Sequence, residues 1–302
     1  MKKVFKWIGI VLGSLVGLIL VLVAVLFLVG NSRLNKTYDF PPDNIAIPTD
    51  AESIARGEHM TKMLCTGCHG TDLSGVANWF PAGPFGSMDA PNLTSGKGGI
   101  GQEYTSDEEY VFAMRHGVDP EGKPIFMPAV VGFSFMSDED LGAIIAYLKT
   151  APPVDQERNG RNFSALAKIM LGAGLFGELP VEAVSHNAHV TAPAAGATVE
   201  YGQYLVAIGD CISCHGADLA GGPFPDPSVS ILAPNLTPAG ELAEWSEQGF
   251  IAAMRTGIKP GGEAMDPKYM PWKDIGMASD DELKAMFMYL QSLPALEQAT
   301  GQ

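Results

Sequence analysis

The four cysteines of this 302-residue chain all fall in two copies of one five-residue pattern. The first copy is Cys65-Thr66-Gly67-Cys68-His69 and the second is Cys211-Ile212-Ser213-Cys214-His215. Two thiols at this spacing can add to the two vinyl groups of a haem, and the histidine that follows then reaches the iron. The rival chemistries fit less well. A zinc site at either motif would need more Cys or His partners close by. A thioredoxin-like redox pair has no use for the adjacent His. The motifs therefore predict two covalently held haems, with Cys65, Cys68, Cys211 and Cys214 as attachment points and His69 and His215 as iron ligands.

An electron carrier is expected to complete each iron with a soft thioether, which favours the ferrous state. The chain has 14 Met, so position has to choose among them. Met127 and Met270 each precede a proline, Pro128 and Pro271, in a Gly/Pro-rich loop. They are the expected ligands. Met114 falls within a predicted helix, where Met is usually core. Met136 and Met265 remain as rivals for the two sites. His59, His116, His186 and His189 have no histidine partner in the other half of the chain and are expected to be structural or solvated.

Those loops belong to a unit that occurs twice. Ala90-Pro91-Asn92-Leu93-Thr94 matches Ala233-Pro234-Asn235-Leu236-Thr237, and Ala113-Met114-Arg115-His116-Gly117 matches Ala253-Met254-Arg255-Thr256-Gly257. Tyr147-Leu148 matches Tyr289-Leu290. Each copy predicts a helix running into the haem motif (53–64 and 199–208), a loop, and a second helix from Ser106 or Ser246. A last helix then opens at Ser137 or Ser279 with acids in its first turn. Leu141, Ile144, Ile145 and Leu148 mark the buried face of that last helix in the first copy. Leu283, Met286, Phe287 and Leu290 do so in the second. Arg115 and Arg255, at the end of the second helix, are candidates to pair with a haem propionate or to complement the helix end.

Each repeat resembles a class I cytochrome c domain. The Pro-Asn-Leu-Thr, Met-Arg-Xaa-Gly, Met-Pro and Tyr-Leu elements are similar to those of cytochromes c related to haem subunits of membrane-bound bacterial dehydrogenases. The resemblance implies an all-α fold of tandem one-haem domains, at residues 50–150 and 197–302. Residues 151–196 would link them, with a short helix within 163–175. The chain differs from those subunits in having two haem motifs where three are typical.

From Trp7 to Gly30 no residue is charged, and 24 residues of helix span about 36 Å, enough for the hydrocarbon core. Residues 1–36 thus read as a retained membrane anchor, and they lack the small-residue cleavage site of a signal peptide. Lys2, Lys3 and Lys6 precede the helix and predict that the rest of the chain lies on the periplasmic side of a bacterial inner membrane. Outside the anchor 14 basic residues face 34 acidic ones, a net charge of −20. Such a surface excludes nucleic-acid binding and suits a partner with a basic patch.

Six-coordinate iron leaves no open position for a substrate, so the chain reads as an electron carrier and not an enzyme. The expected role is a membrane-held relay between a quinol-oxidising complex or dehydrogenase and an oxidase or soluble acceptor. The alternative is a dedicated haem subunit of an alcohol, aldehyde or sugar-acid dehydrogenase complex.

Overall fold

The computed structural model describes residues 2–187, 189–224 and 229–299, so the last three residues of the expected second domain lie outside it. Helix α1 (Lys2–Leu34) is the apolar N-terminal helix. The first repeat contributes α2 (Ala51–Leu64), α3 (Asp107–Val111) and α4 (Asp138–Thr150). Helix α5 (Ala165–Gly172) follows in the linker. The second repeat contributes α6 (Val199–Ile208), α7 (Glu247–Thr256) and α8 (Asp280–Ser292).

Local chemistry sets where these helices begin. Asp50 caps α2 by accepting from the Ser53 amide at 2.9 Å. Ser106 and Glu109 form a reciprocal capping box on α3, and Ser279 and Glu282 form one on α8. Ser137 and Ser246 accept from the amides three residues on, at 3.1 and 3.0 Å. Each such cap satisfies an otherwise orphaned amide. After α3 the helix widens into a π-turn, Phe112–His116, which ends at the left-handed Gly117. Its counterpart α7 stays regular and ends at the left-handed Gly257.

Within each repeat the first and last helices cross at a glycine. A Cβ on Gly57 would collide with the Ala143 carbonyl oxygen, and one on Gly202 with that of Ala285. The crossings bury Leu141, Ile144, Ile145 and Leu148 on α4, and Leu283, Met286 and Leu290 on α8. Phe287 is only partly buried and packs on Phe250. The two apolar cores merge into one cluster that runs from Met60 and Ile144 through Tyr201 and Leu205 to Leu283.

An all-α fold was expected, and the structure adds two small sheets. Strands β1 (Val76–Pro81), β2 (Gly86–Ala90) and β3 (Arg161–Phe163) form an antiparallel sheet in that order. Strands β4 (Gly222–Pro223) and β5 (Leu232–Ala233) form an antiparallel pair in the second repeat. The Gly/Pro-rich stretch after each motif has no helical periodicity, and extended pairing is how its backbone groups find partners. The linker is correspondingly laid against the first repeat. Its β3 completes the sheet, and a second apolar cluster of Leu34, Val118, Leu171, Leu179 and Val181 joins it to the end of α1.

Candidate haem sites

Each motif is a single helical turn at the end of the repeat's first helix, Thr66–His69 after α2 and Cys211–His215 after α6. The histidines are buried, and their surroundings are built twice. His69 Nδ1 lies 2.8 Å from the carbonyl oxygen of Pro91, and His215 Nδ1 lies 2.8 Å from that of Pro234. A carbonyl accepts only from a protonated nitrogen, so the bond fixes the neutral ring with its proton on Nδ1 and leaves the Nε2 lone pair for a metal. Burial lowers both histidine pKa values, and the same carbonyl bonds partly oppose it.

The loop that supplies the carbonyl is itself tied down. Asn92 Oδ1 accepts from the Thr94 amide and hydroxyl at 2.9 and 2.8 Å, while its Nδ2 donates to the Val154 carbonyl at 2.7 Å. Asn235 accepts from the Thr237 amide and hydroxyl at 2.8 and 2.7 Å and donates to the Leu296 carbonyl at 2.6 Å. Both asparagines thus fasten the proximal loop to the strand of chain that leaves the repeat's last helix. This answers why the Pro-Asn-Leu-Thr run recurs.

The four cysteines carry no disulfide. Burial pushes the Cys65 and Cys211 thiols up to about 12, and it pushes Cys68 up to about 11. Thiols held neutral in this way are poor redox nucleophiles. Paired thiols beside an imidazole with a free Nε2 are the donor set that a covalently attached haem requires, so the residues present fit the group.

Met127 and Met270 are partly buried and both pack against the main core. The rivals do not behave as matched pairs. Met136 is fully buried whereas Met277, its counterpart, is 50% exposed. Met265 is partly buried, but the position equivalent to it is Ile125, as the matching amide bonds to the Gly117 and Gly257 carbonyls show. Arg115 is buried; it donates to Asp138 Oδ1 at 2.7 Å and to the Met136 carbonyl at 2.9 Å. Arg255 bonds to the Gly276 carbonyl and to Asp280 Oδ1, the latter at 2.8 Å. These bonds tie each arginine to the start of the last helix and the turn before it.

The loops beyond the Met-Pro pairs reach across to the other repeat. The Asp274 carboxylate lies against Gly67 in the first motif, and a Cβ on Gly132 would meet Ile208 and Asp210 at the second. Each motif therefore faces the segment that follows the other repeat's Met-Pro pair. Between the repeats, Arg56 pairs with Asp140 at 2.9 Å and with Glu282 at 3.0 Å, and it donates to the Tyr201 hydroxyl at 2.8 Å. His59 Nε2 lies 2.6 Å from Glu282 Oε2, and the Tyr204 hydroxyl donates to Asp140 Oδ2 at 2.7 Å. Sequence reasoning left His59 as an isolated histidine and missed this cluster. The available signal was the shared i, i+3 spacing of Arg56/His59 and Tyr201/Tyr204 on equivalent helices. The other histidines do not approach the motifs' donor sets. His116 and His186 lie 3.0 Å apart beside Phe40, and His189 pairs with Asp138 at 3.1 Å.

Sequence comparison agrees with the motif geometry. The profile of the family described as Cytochrome c matches residues 54–152 and again 199–294, together more than half of the chain. The chain belongs to the cytochrome c family, whose members carry covalently bound haem c, and it is an electron-transfer cytochrome. Among curated relatives, the cytochrome c subunit of the quinone-type alcohol dehydrogenase of Gluconacetobacter polyoxogenes is 28% identical over 288 residues, 85% of this chain and 60% of the relative. The corresponding subunit of Gluconobacter oxydans is 30% identical over 131 residues, 41% of this chain and 27% of the relative. The gluconate 2-dehydrogenase cytochrome c subunit of Pantoea cypripedii is 34% identical over 100 residues, 31% of this chain and 22% of the relative. The chain thus spans less than two thirds of the length of each of these relatives.

Proposed function

We propose that this chain is an electron-transferring haem subunit of a membrane-bound dehydrogenase complex, with two haems c. The observation that carries this reading is the 288-residue similarity to a dehydrogenase cytochrome c subunit, which extends over both repeats. It favours a complex subunit over a free-standing relay. When bound, each haem supplies a one-electron Fe(II)/Fe(III) couple.

The residues divide the work of holding the two groups. Cys65 with Cys68, and Cys211 with Cys214, fix each group to the chain. His69 and His215 offer Nε2 to the iron because the Pro91 and Pro234 carbonyls hold Nδ1. Met127 and Met270 would offer a thioether to each iron; their matched burial supports this over the unmatched pair Met136 and Met277. Pro128 and Pro271 stiffen the ligand loops. Arg115 and Arg255 fasten the segments that follow those loops onto α4 and α8. The reciprocal contacts of Asp274 with the first motif and Gly132 with the second support direct passage of electrons between the repeats.

Helix α1 anchors the subunit, and the haem domains face the periplasm. The fit of Gly30 on α1 against α5 supports retention of the helix, since a cleaved leader has no reason to be shaped to the mature domain.

The test is purification of the full chain from its own membranes in mild detergent. A co-purifying dehydrogenase polypeptide, and haem reduction when that dehydrogenase's substrate is added, are expected. A chain that purifies alone, and is reduced only by quinol or by another cytochrome, would return the assignment to a free-standing relay.

A further inference from the structure

The end of α1 is not a bare helix entering a membrane. Helix α5 runs antiparallel to it in close contact. A Cβ on Gly30 would strike the Lys168 carbonyl, and one on Gly172 would strike the Leu26 carbonyl. Lys168 is therefore level with Gly30, and Gly172 is level with Leu26. Those four residues of α1 correspond to about 6 Å of helix. Leu26 lies inside the uncharged span that ends at Gly30. Helix α5 and the turn after it thus descend about one helical turn along the apolar part of α1.

What descends is apolar and exposed. Residues 169–177 carry no charge and are bounded by Lys168 and Glu178. Leu175 is 67% exposed, Phe176 47% and Leu166 44%. The nearby cations are engaged by the protein. Lys168 Nζ bonds to Asn31 Oδ1 at 3.0 Å, and Arg33 donates to the Leu171 and Gly177 carbonyls at 3.0 Å each. Arg33 also pairs with Glu182 at 2.7 Å. The turn further satisfies its own backbone. The amides of Ala173, Gly174, Leu175 and Gly177 donate to the carbonyls of Ile169, Leu171, Met170 and Gly174 at 2.9–3.2 Å. This is the usual closure of a helix end at a left-handed glycine, Gly174, and it also meets the demand of lipid that a segment bond internally.

We infer that α5 and the turn through Gly177 form a second, shallow membrane contact, with Leu175 and Phe176 seated among the lipid acyl chains beside α1. The inference rests on the reading of α1 as a retained anchor and extends the same membrane surface. Its depth matches that of helices lying at the boundary between headgroups and acyl chains. With α1 alone the haem domains could swivel about a single helix. A second contact fixes which face of the first repeat is turned from the membrane and left to partners. Phe176 packs edge-on against Phe85, and Ser164, which caps α5, bonds to the Pro84 and Phe85 carbonyls at 2.8 and 2.9 Å. The contact is thereby coupled rigidly to the sheet of the first repeat.

The test uses the purified full chain in vesicles of phosphatidylcholine and phosphatidylglycerol that contain a photoactivated, lipid-partitioned carbene probe. Labelled positions are mapped by peptide mass spectrometry. The expected result is label at Leu175 and Phe176 close to that on residues 15–26 of α1. It should stand several-fold above that on Leu232 and Ile258, which are comparably exposed apolar residues of the second repeat. The double variant L175E/F176E should lose label at 169–177 while α1 stays labelled. Label on α1 with Leu175 and Phe176 no higher than Leu232 and Ile258 would overturn the inference, leave the anchor standing, and give this surface to water or a protein partner. Absence of label on α1 would overturn the anchor reading and the inference together.

Discussion

The two repeats build the same shell around their motifs and the same helix crossings, and they differ in what surrounds these. The His–Pro carbonyl bond is 2.8 Å in both, and the tie from Asn and Thr to the segment after the last helix recurs to within 0.1 Å. By contrast, the first repeat carries a π-turn, a buried Arg115 and a three-stranded sheet, while the second has a regular α7 and a more exposed Arg255. What is shared is what a haem-holding motif needs. What differs belongs to position in the molecule, because the end of α1 and the linker's β3 pack on the first repeat.

The interface between the repeats teaches the same lesson more sharply. Equivalent positions meet there: Arg56 meets Tyr201, and His59 and Tyr204 each take the carboxylate at the start of the other repeat's last helix. Two identical repeats would set arginine against arginine. Divergence gave the basic groups to one repeat and the phenols to the other, so that the two repeats fit each other better than either fits a copy of itself.

Arg56 should be the most sensitive point of that asymmetry. Arg56→Met leaves the buried Asp140 and Glu282 without their shared cation and should cost about 3 kcal/mol, since breaking a buried pair strands a charge. Tyr201→Phe, at the equivalent place, should cost only about 1 kcal/mol, the worth of a hydroxyl's hydrogen bonds. Thermal or denaturant unfolding of the two variants measures both, and equal losses would contradict the asymmetry. The shared part of the comparison is tested at the helix crossings. Gly57→Ala and Gly202→Ala should each destabilise by about 1–3 kcal/mol, because the new methyl meets a backbone carbonyl that cannot step aside. Gly261→Ala, with open space around it, should change little. A large difference between the two crossings would mean that the repeats are not built alike.

Acid should loosen the interface in a defined window. Burial works against the Glu282 carboxylate, yet the hydrogen bonds from His59, the Ser279 amide and Arg56 overcome it and hold the group down at about 2. A carboxyl lowered on folding stabilises fully above its ordinary value of 4.5, and that contribution is lost as the pH falls from there toward 2. Stability followed by denaturant titration at successive pH values should fall across this range, and Glu282→Gln should flatten the fall. The smallest effect is expected on the haem potentials. The first motif is approached by Asp274 from the other repeat, whereas the second has Asp210 from its own repeat, directly before Cys211. Removing a nearby negative charge destabilises the ferric form. Asp274→Asn should therefore raise mainly the first potential and Asp210→Asn mainly the second, each on the order of tens of millivolts. Spectroelectrochemical titration separates the two.

Much of this arrangement is legible in the sequence because it is local. The motifs, the serine caps at 106, 137, 246 and 279, and the extent of α6 follow from residues a few positions apart. The sheet was not legible, because β2 pairs with linker residues 161–163, more than 70 positions away, and neither partner alternates clearly. The interface cluster escaped for the same reason: Arg56 and Glu282 are 226 residues apart, and His59 looks idle until α8 is placed beside it. Arg115 and Arg255 stand out in the sequence by repetition, but their partners do not: Asp138 and the Met136 carbonyl for Arg115, Asp280 and the Gly276 carbonyl for Arg255, lie more than 20 residues on.

The central claim is that each motif holds its own haem through both cysteines. Intact-mass measurement of the acid–acetone-washed chain, set beside the variant C65A/C68A, tests it most directly. Two retained haems are predicted for the wild-type chain and one for the variant, with the remaining haem's histidine–methionine spectrum preserved. Haem that extracts into the acetone, or a wild-type chain carrying a single haem, would contradict the account.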